Sequence, residues 1–316
     1  MILLTDLDRI PPITDPVILT IGNFDGLHRG HKRILRKVIS RAREEGGTSV
    51  VVTFEPHPLK VLYPERAPQL IQTLSQKRDI VAHLGVQVLL EIPFTKEFGQ
   101  VLAEGFVRLL AERLSPREIY IGDDFRFGYQ RAGDITFLRS LGDELGYTAA
   151  AFPKLKVDGV EVSSSQIRRF LLAGEMEKAV RLLGRPYIIE GIVEHGDGRG
   201  RTLGFPTANL SIENELIPAH GVYVVAVDVG EPRLLPAVAN LGVRPTFGEG
   251  QVTVEVHLLE GGGELYGRRI RCLFFRFLRP EQKFPSPDAL RDAIARDVQT
   301  ARDFFRDTPL QRRMFY

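Results

Sequence analysis

A single cysteine, Cys272, stands among 316 residues, which excludes an internal disulfide framework and any cysteine-built zinc site. It lies in the apolar run CLFF, where a buried and unreactive thiol is the expectation. An excess of one charge is lacking too: 42 Lys and Arg against 40 Asp and Glu leave a formal charge of +2. No broad electrostatic field therefore favours nucleic acid or a membrane surface as partner. No stretch approaches the ~18 uninterrupted apolar residues of a membrane-spanning helix. The first residues, with Asp6 and Asp8, place no basic region ahead of an apolar core. A soluble, cytoplasmic chain is expected, and neither repeats nor low-complexity tracts interrupt it.

What is present is enough apolar material, 43% of residues, for two cores in a chain longer than one ordinary domain. The stretch VILTIGNFDGLHRGHKRIL (Val17 to Leu35) organises the first. Val17, Ile18, Leu19 and Ile21 read as a strand buried on both faces, ending at Gly22. Asn23-Phe24-Asp25-Gly26 form a turn, and from Arg29 the apolar positions Ile34, Leu35, Val38 and Ile39 recur at helical spacing. His28 and His31 then fall in the first turn, on one face. Unpaired N–H groups and a positive dipole end favour phosphate there, and Gly30 leaves room for close approach. The plainer alternative is that the imidazoles cap a helix start. The His-x-Gly-His pattern resembles the signature of the adenylyltransferase superfamily that includes class I aminoacyl-tRNA synthetases.

Further strands are expected at Thr48 to Phe54, Val86 to Ile92, Arg117 to Gly122 and Thr148 to Phe152, with helices at Ser75 to Leu84 and across Phe98 to Leu110. Such alternation predicts a parallel sheet covered on both faces, a Rossmann-like domain. The loops EPHP, with His57, and GDDFRFGYQRAG open at strand ends, where such sheets place ligands. The run SSSQIRR begins a helix that Phe170, Leu171 and Leu172 continue to Gly174; its serines are ordinary caps or, with Arg168 one turn on, an anion clamp.

Near Gly184-Arg185-Pro186 the helical period gives way to short extended runs separated by Gly and Pro, which predicts an antiparallel barrel followed by a helix from Ser286 to Phe305. The expected division is 1–184 and 185–316. In the second part, Gly198, Arg199, Gly200 and Arg201 form a basic glycine-rich loop suited to phosphates. Thr207 and Asn209, two apart on an expected strand, offer neutral oxygens to magnesium carried by ATP. In VEVHL, Glu255 and His257 share a face; a barrel-facing carboxylate would take a proton from a substrate hydroxyl, and the alternative is a salt-bridged outer-face Glu.

Taken in order, GNFDGLHRGH, TFEPHP, GDDFRFG, SSSQIR, GRGRTLGFPTANL, NLGVRPTF, EVHLL and FLRPEQKF resemble the prokaryotic bifunctional riboflavin kinase/FAD synthetase family over nearly the whole chain. The resemblance implies a nucleotidyltransferase domain that adenylylates FMN to FAD and a barrel that phosphorylates riboflavin, with ATP, magnesium, riboflavin and FMN as the small molecules involved. By motif it assigns His28, His31 and Arg168 to adenylyl transfer and Glu255 to the kinase base. Gly22, Asn23, Phe24, Gly30, Ser164, Ser165 and Asp124 go to nucleotide binding, as does the loop of Gly198 to Arg201. His57, Phe125 and Arg279 go to flavin, and Thr207 and Asn209 to magnesium. Two positions depart from the family's pattern: Ser165 stands where Thr is frequent, and Asp124 where Asn is. Adenylylation of another phosphorylated substrate, or flavin carriage without turnover, are the competing classes.

Overall fold

Buried β-branched runs become strands and the amphipathic segments between them become helices. A computed structural model describes residues 1–196, 200, 204–244 and 251–311. It holds β1 (Ile2–Leu4), β2 (Val17–Ile21), α1 (Arg29–Glu44), β3 (Thr48–Glu55), α2 (Pro58–Leu62), α3 (Leu74–Leu84), β4 (Val88–Pro93), α4 (Ala103–Leu114), β5 (Pro116–Gly122), α5 (Ile135–Leu145) and β6 (Thr148–Phe152). These are followed by the hairpin β7 (Lys156–Val157) and β8 (Val160–Glu161), then α6 (Ser164–Leu172) and α7 (Met176–Leu183). The remainder is β9 (Tyr187–Glu194), β10 (Ala208–Ile212), β11 (Gly221–Asp228), β12 (Leu235–Arg244), β13 (Gln251–Leu258), β14 (Arg269–Arg279) and a last helix, α8 (Pro287–Asp307).

The chain forms two compact units, one of Met1–Gln69 with Leu74–Val162, the other of Leu70–Thr73 with the chain from Ser163 onward. In the first, six parallel strands lie in the order β1-β4-β3-β2-β5-β6. All five residues of β2 are buried. Alternation sends Val17, Leu19 and Ile21 to one face with α4 and α5, and Ile18 to the other with Ile34, Val38 and Ala42 of α1. From β2 the chain steps outward to β3 and β4, then crosses back to β5 on the other side of β2, so the crevice outside the carboxyl ends of β2 and β5 is the switch point of this sheet.

The helix expected across Phe98 to Leu110 starts later. Phe98–Gln100 is a 3-10 turn, Leu102 caps α4 with extended backbone, and Leu102 is 64% exposed. Two contacts hold the chain off the helix: Gly99 lies against Leu62, where a Cβ would stand 2.9 Å from the leucine, and the Val101 carbonyl accepts Tyr129 N–H at 2.8 Å.

In the second unit six antiparallel strands close in the order β10-β13-β12-β11-β14-β9. Leu210, Tyr223, Val225, Leu241, Val254 and Phe274 fill the interior and are almost wholly buried. At Gly191 a Cβ would lie 2.0 Å from the Ser211 carbonyl, so only glycine lets β9 and β10 approach there. The other face of β11 and β12, through Val222, Val224 and Val238, packs on Val298 and Ala301 of α8. Cys272 is inside, and burial pushes its thiol up to about 12, which keeps it protonated. Among the described residues no helix is long and apolar enough to cross a membrane.

Candidate active sites

The turn after β2 is built on unusual backbone. Phe24, Gly26 and Leu27 have φ of 49°, 82° and 38°, and for the two non-glycines this left-handed region costs roughly 1–2 kcal/mol each. Burial offsets that cost: Phe24 and Leu27 are core residues, and the Phe24 ring covers Gly22, where a Cβ would meet it at 3.0 Å. His28 is the N-cap of α1, one residue before the helix where the first turn was expected, and its Nδ1 accepts His31 N–H at 3.2 Å. An accepting Nδ1 puts the His28 proton on Nε2.

The two imidazoles stack with centroids 3.6 Å apart and planes 16° from parallel, and Phe24 meets His31 edge-on at 5.2 Å. Gly30 favours the stack, since a Cβ there would sit 3.1 Å from the His28 ring and push it aside. Burial, then His28 and Lys77, hold the His31 pKa well below 6.5, so His31 is neutral at pH 7. Two imidazolium ions at this spacing would repel by roughly 4–5 kcal/mol at an effective dielectric near 20. The pair therefore works as N–H donors at a positive helix end, and no acidic residue in the first turn of α1 neutralises that end. The cap leaves the remaining free N–H groups of this helix end able to face an anion.

Around this turn, Thr53 Oγ1 donates to the Asn23 carbonyl at 3.3 Å. His57 caps α2 through Nδ1, accepting Leu59 N–H at 3.2 Å. Across the switch point, Phe125 N–H donates to the Gly122 carbonyl at 3.1 Å, and Phe125 stacks on Phe127. Asp124 is 67% exposed and lies 3.5 Å from Lys154 Nζ. In the second unit, Ser163 caps α6 by accepting Gln166 N–H at 3.2 Å, with Ser164 and Ser165 opening that helix and Arg168 one turn on.

The barrel groups a second set. Asn209 on β10 is in register with Glu255 on β13, and Glu255 with Asn240 on β12, so three polar side chains sit side by side on one face. This is the outer face. Val254 and Val256 point inward, while His257 is in register with Val238, which packs against α8. The expectation of a barrel-facing Glu255 is thereby corrected: a six-stranded interior filled by aliphatic and aromatic side chains has no room for a carboxylate. Thr207 precedes β10 instead of lying on it. His257 Nδ1 is 2.9 Å from the Pro206 carbonyl, and Phe205 meets its ring edge-on, which ties the segment before Asn209 to β13. At Gly200 a Cβ would lie 2.4 Å from the Phe205 carbonyl and 3.2 Å from Thr207 Oγ1, so glycine lets the chain fold over Thr207.

Arg279 makes a two-pronged ion pair with Asp297 of α8, Nη2 donating to Oδ2 at 2.8 Å and Nε to Oδ1 at 3.2 Å, and lies over Phe284. Gly198, Arg199 and Arg201 lie outside the described residues. Among those described, no group of three or more His, Cys, Asp or Glu is placed to hold a metal. Thr207 and Asn209 are neutral oxygen donors beside one carboxylate, a set that fits a hard cation whose charge is already shared by phosphates.

A family model described as FAD synthetase matches residues 10–166, and one described as riboflavin kinase matches residues 183–305. A Pseudomonas fluorescens protein named bifunctional riboflavin kinase/FMN adenylyltransferase is 42% identical over 304 residues, 96% of this chain and 97% of that one. The chain belongs to the bifunctional riboflavin kinase/FMN adenylyltransferases. The Escherichia coli K12 relative of the same name is 41% identical over 290 residues, covering 91% of this chain and 92% of the relative. A crystal structure described as a macrolide-efflux protein from Streptococcus pneumoniae is also similar, with a TM-score of 0.86 and 28% identity over 95% of this chain and 98% of that one.

Within a bifunctional riboflavin kinase/FMN adenylyltransferase, the stacked imidazoles fall inside the FAD synthetase match and the Asn209–Glu255–Asn240 row inside the riboflavin kinase match. Asn240 was visible to sequence reasoning only as a letter of NLGVRPTF. Its place beside Glu255 depends on β12–β13 register, which no spacing within one segment reveals.

Proposed function

We propose that this chain performs two ATP-dependent phosphorus transfers, with residues 185–316 phosphorylating riboflavin to FMN and residues 1–184 moving AMP from ATP onto FMN to give FAD and pyrophosphate. What carries the reading is that each matched region contains one cluster of the polarity its reaction needs: paired imidazoles at a helix N-terminus, and a carboxylate flanked by amides on a barrel face.

In adenylyl transfer, His28 and His31 would donate hydrogen bonds to the α-phosphate and departing pyrophosphate of ATP while the dipole of α1 stabilises the growing charge. Gly22, Asn23, Phe24 and Gly30 shape the turn. Motif assigns Ser164, Ser165 and Arg168 to the phosphate tail and Asp124 to the nucleotide, with His57 and Phe125 on the flavin side. In the kinase reaction, Glu255 would orient the ribityl 5′-hydroxyl and take its proton as that oxygen attacks the γ-phosphorus. Thr207 and Asn209 would hold magnesium with ATP, where it neutralises phosphate charge. The Gly198–Arg201 loop completes the kinase assignment for ATP and Arg279 that for flavin. With ATP and flavins as substrates, the enzyme is placed in the cytoplasm, without nucleic acid or membrane as partner.

The test is a pair of separable defects read by flavin chromatography after incubation with riboflavin, ATP and magnesium. His28→Ala should abolish FAD while FMN still accumulates. Glu255→Gln should stop FMN formation, yet convert added FMN to FAD. The removal of a general base or of an oxyanion-type donor costs about 100- to 1,000-fold in rate. Equal injury to both reactions by both variants would overturn the two-site assignment.

A further inference from the structure

Lysine is almost never buried without a partner close enough to hold its charge. Lys77 on α3 is 7% exposed, and among the described residues its ammonium has one ion-pair partner, Glu55 Oε2 at 4.0 Å. That is beyond hydrogen-bond length, so the ammonium has donors in hand. Its helix neighbour Arg78 behaves differently, closing two short bonds, 2.9 and 2.6 Å, onto Glu91. One cation of α3 is thus spent on architecture and the other is not.

The position of the gap is informative. Thr53 and Glu55 are two apart on β3 and share a face, and Thr53 reaches the Asn23 carbonyl in the turn that leads to the stacked imidazoles. The Lys77–Glu55 pair therefore stands on the same side of the sheet as that turn, at the carboxyl ends of the strands. Two further polar atoms on this side, Thr20 Oγ1 and His31 Nδ1, are buried without a hydrogen-bond partner among the described residues. Buried polar groups in native proteins are almost always satisfied, so such a concentration calls for a ligand or ordered water.

We propose that Lys77 is a phosphate-binding residue of the adenylyl-transfer site, donating to a phosphate oxygen of ATP or of the flavin mononucleotide. The assignment rests on the function proposed above. Adenylyl transfer brings a phosphomonoester and a triphosphate together, and the imidazole pair holds at most one positive charge at its stacking distance. A fixed ammonium supplies the positive charge that the pair, limited to one, cannot add. Burial lowers the Lys77 pKa and raises that of Glu55, the response of a pair whose charges are poorly solvated.

The experiment uses the full chain with Lys77→Met, Lys77→Arg and Glu55→Gln. FAD formation is followed with FMN supplied, varying ATP and FMN in turn, and riboflavin phosphorylation is the folding control. Lys77→Met should raise KM about tenfold or more for one of the two substrates, which identifies the source of the phosphate, and Lys77→Arg should recover most of that loss. Glu55→Gln should leave both KM values near wild type. The assignment is overturned if Lys77→Met leaves both KM values and kcat unchanged, or if Glu55→Gln reproduces its defect, since Lys77 then serves only to pair Glu55. A thermal-shift comparison with inorganic triphosphate separates this from the broader reading. The kinase unit is the same in both proteins and cancels, so a smaller shift in Lys77→Met supports phosphate binding even if no FAD is made, and an equal shift counts against it.

Discussion

His31 shows how burial decides what a residue can do. Its neutrality follows from desolvation first and the neighbouring His28 and Lys77 second, and this has a consequence for stability. Above pH 6.5 the side chain is neutral both folded and unfolded, so it contributes no pH dependence. Below that, the unfolded chain takes up a proton that the folded chain refuses, and stability falls with decreasing pH by up to about 1.4 kcal/mol per unit. Urea unfolding of the full chain between pH 5 and 7 should therefore show an acid limb, and His31→Gln should flatten it. An unchanged slope in the variant would show that other groups carry it.

At the scale of elements, α8 is fixed to the barrel by Val298 and Ala301 on Val222, Val224 and Val238, and by the Arg279–Asp297 pair at the end of β14. The apolar contacts set the helix against its face without selecting its position along it, whereas a two-pronged ion pair has one register. Asp297→Ala would leave a half-buried guanidinium without its carboxylate, and a loss of about 3 kcal/mol in the urea stability of the barrel unit is expected. Arg279→Lys separates this from flavin contact. A lysine keeps the charge and loses the fork, so a purely architectural Arg279 predicts lower stability with an unchanged riboflavin KM. A raised KM at unchanged stability would place Arg279 on the substrate.

At the scale of the whole molecule, the second unit is discontinuous in sequence. Leu70–Thr73, far from the barrel in the chain, belongs to it: Leu70 N–H donates to Glu215 at 3.1 Å, Gln72 accepts from Arg185 at 3.3 Å, and Thr73 Oγ1 donates to the fully buried Glu190. Glu190 also receives Arg271 at 2.8 Å, so this carboxylate is held by residues separated by nearly 200 positions. Thr73→Val should destabilise the second unit by about 1–3 kcal/mol, the range for losing one hydrogen bond to a buried charge, although its sequence position lies inside the FAD synthetase match. Denaturant melts read by riboflavin phosphorylation would measure it. A fragment beginning at residue 185 lacks this segment together with α6 and α7, so its stability should fall below that of the full chain by at least the Thr73→Val increment.

Sequence alone determined the elements with strong periodicity and the chemistry that sits within a few residues of them. The β2–turn–α1 unit, the parallel class of the first sheet and the antiparallel class of the second follow from spacing, because strand and helix periods are local properties. So does the neighbourhood of His28, Gly30 and His31. The short elements β1, α2, α5 and α7 and the delayed start of α4 did not, since Gly99 against Leu62 and Val101 against Tyr129 are tertiary contacts that override the helical pattern. Tertiary structure alone decided which face Glu255 occupies, that Asn240 stands beside it, and that Leu70–Thr73 completes a unit beginning some 90 residues later. The physical reason is the same in each case: inward or outward, and paired or alone, are relations between strands, and alternation along one strand is equally consistent with either sense until its neighbours are in register.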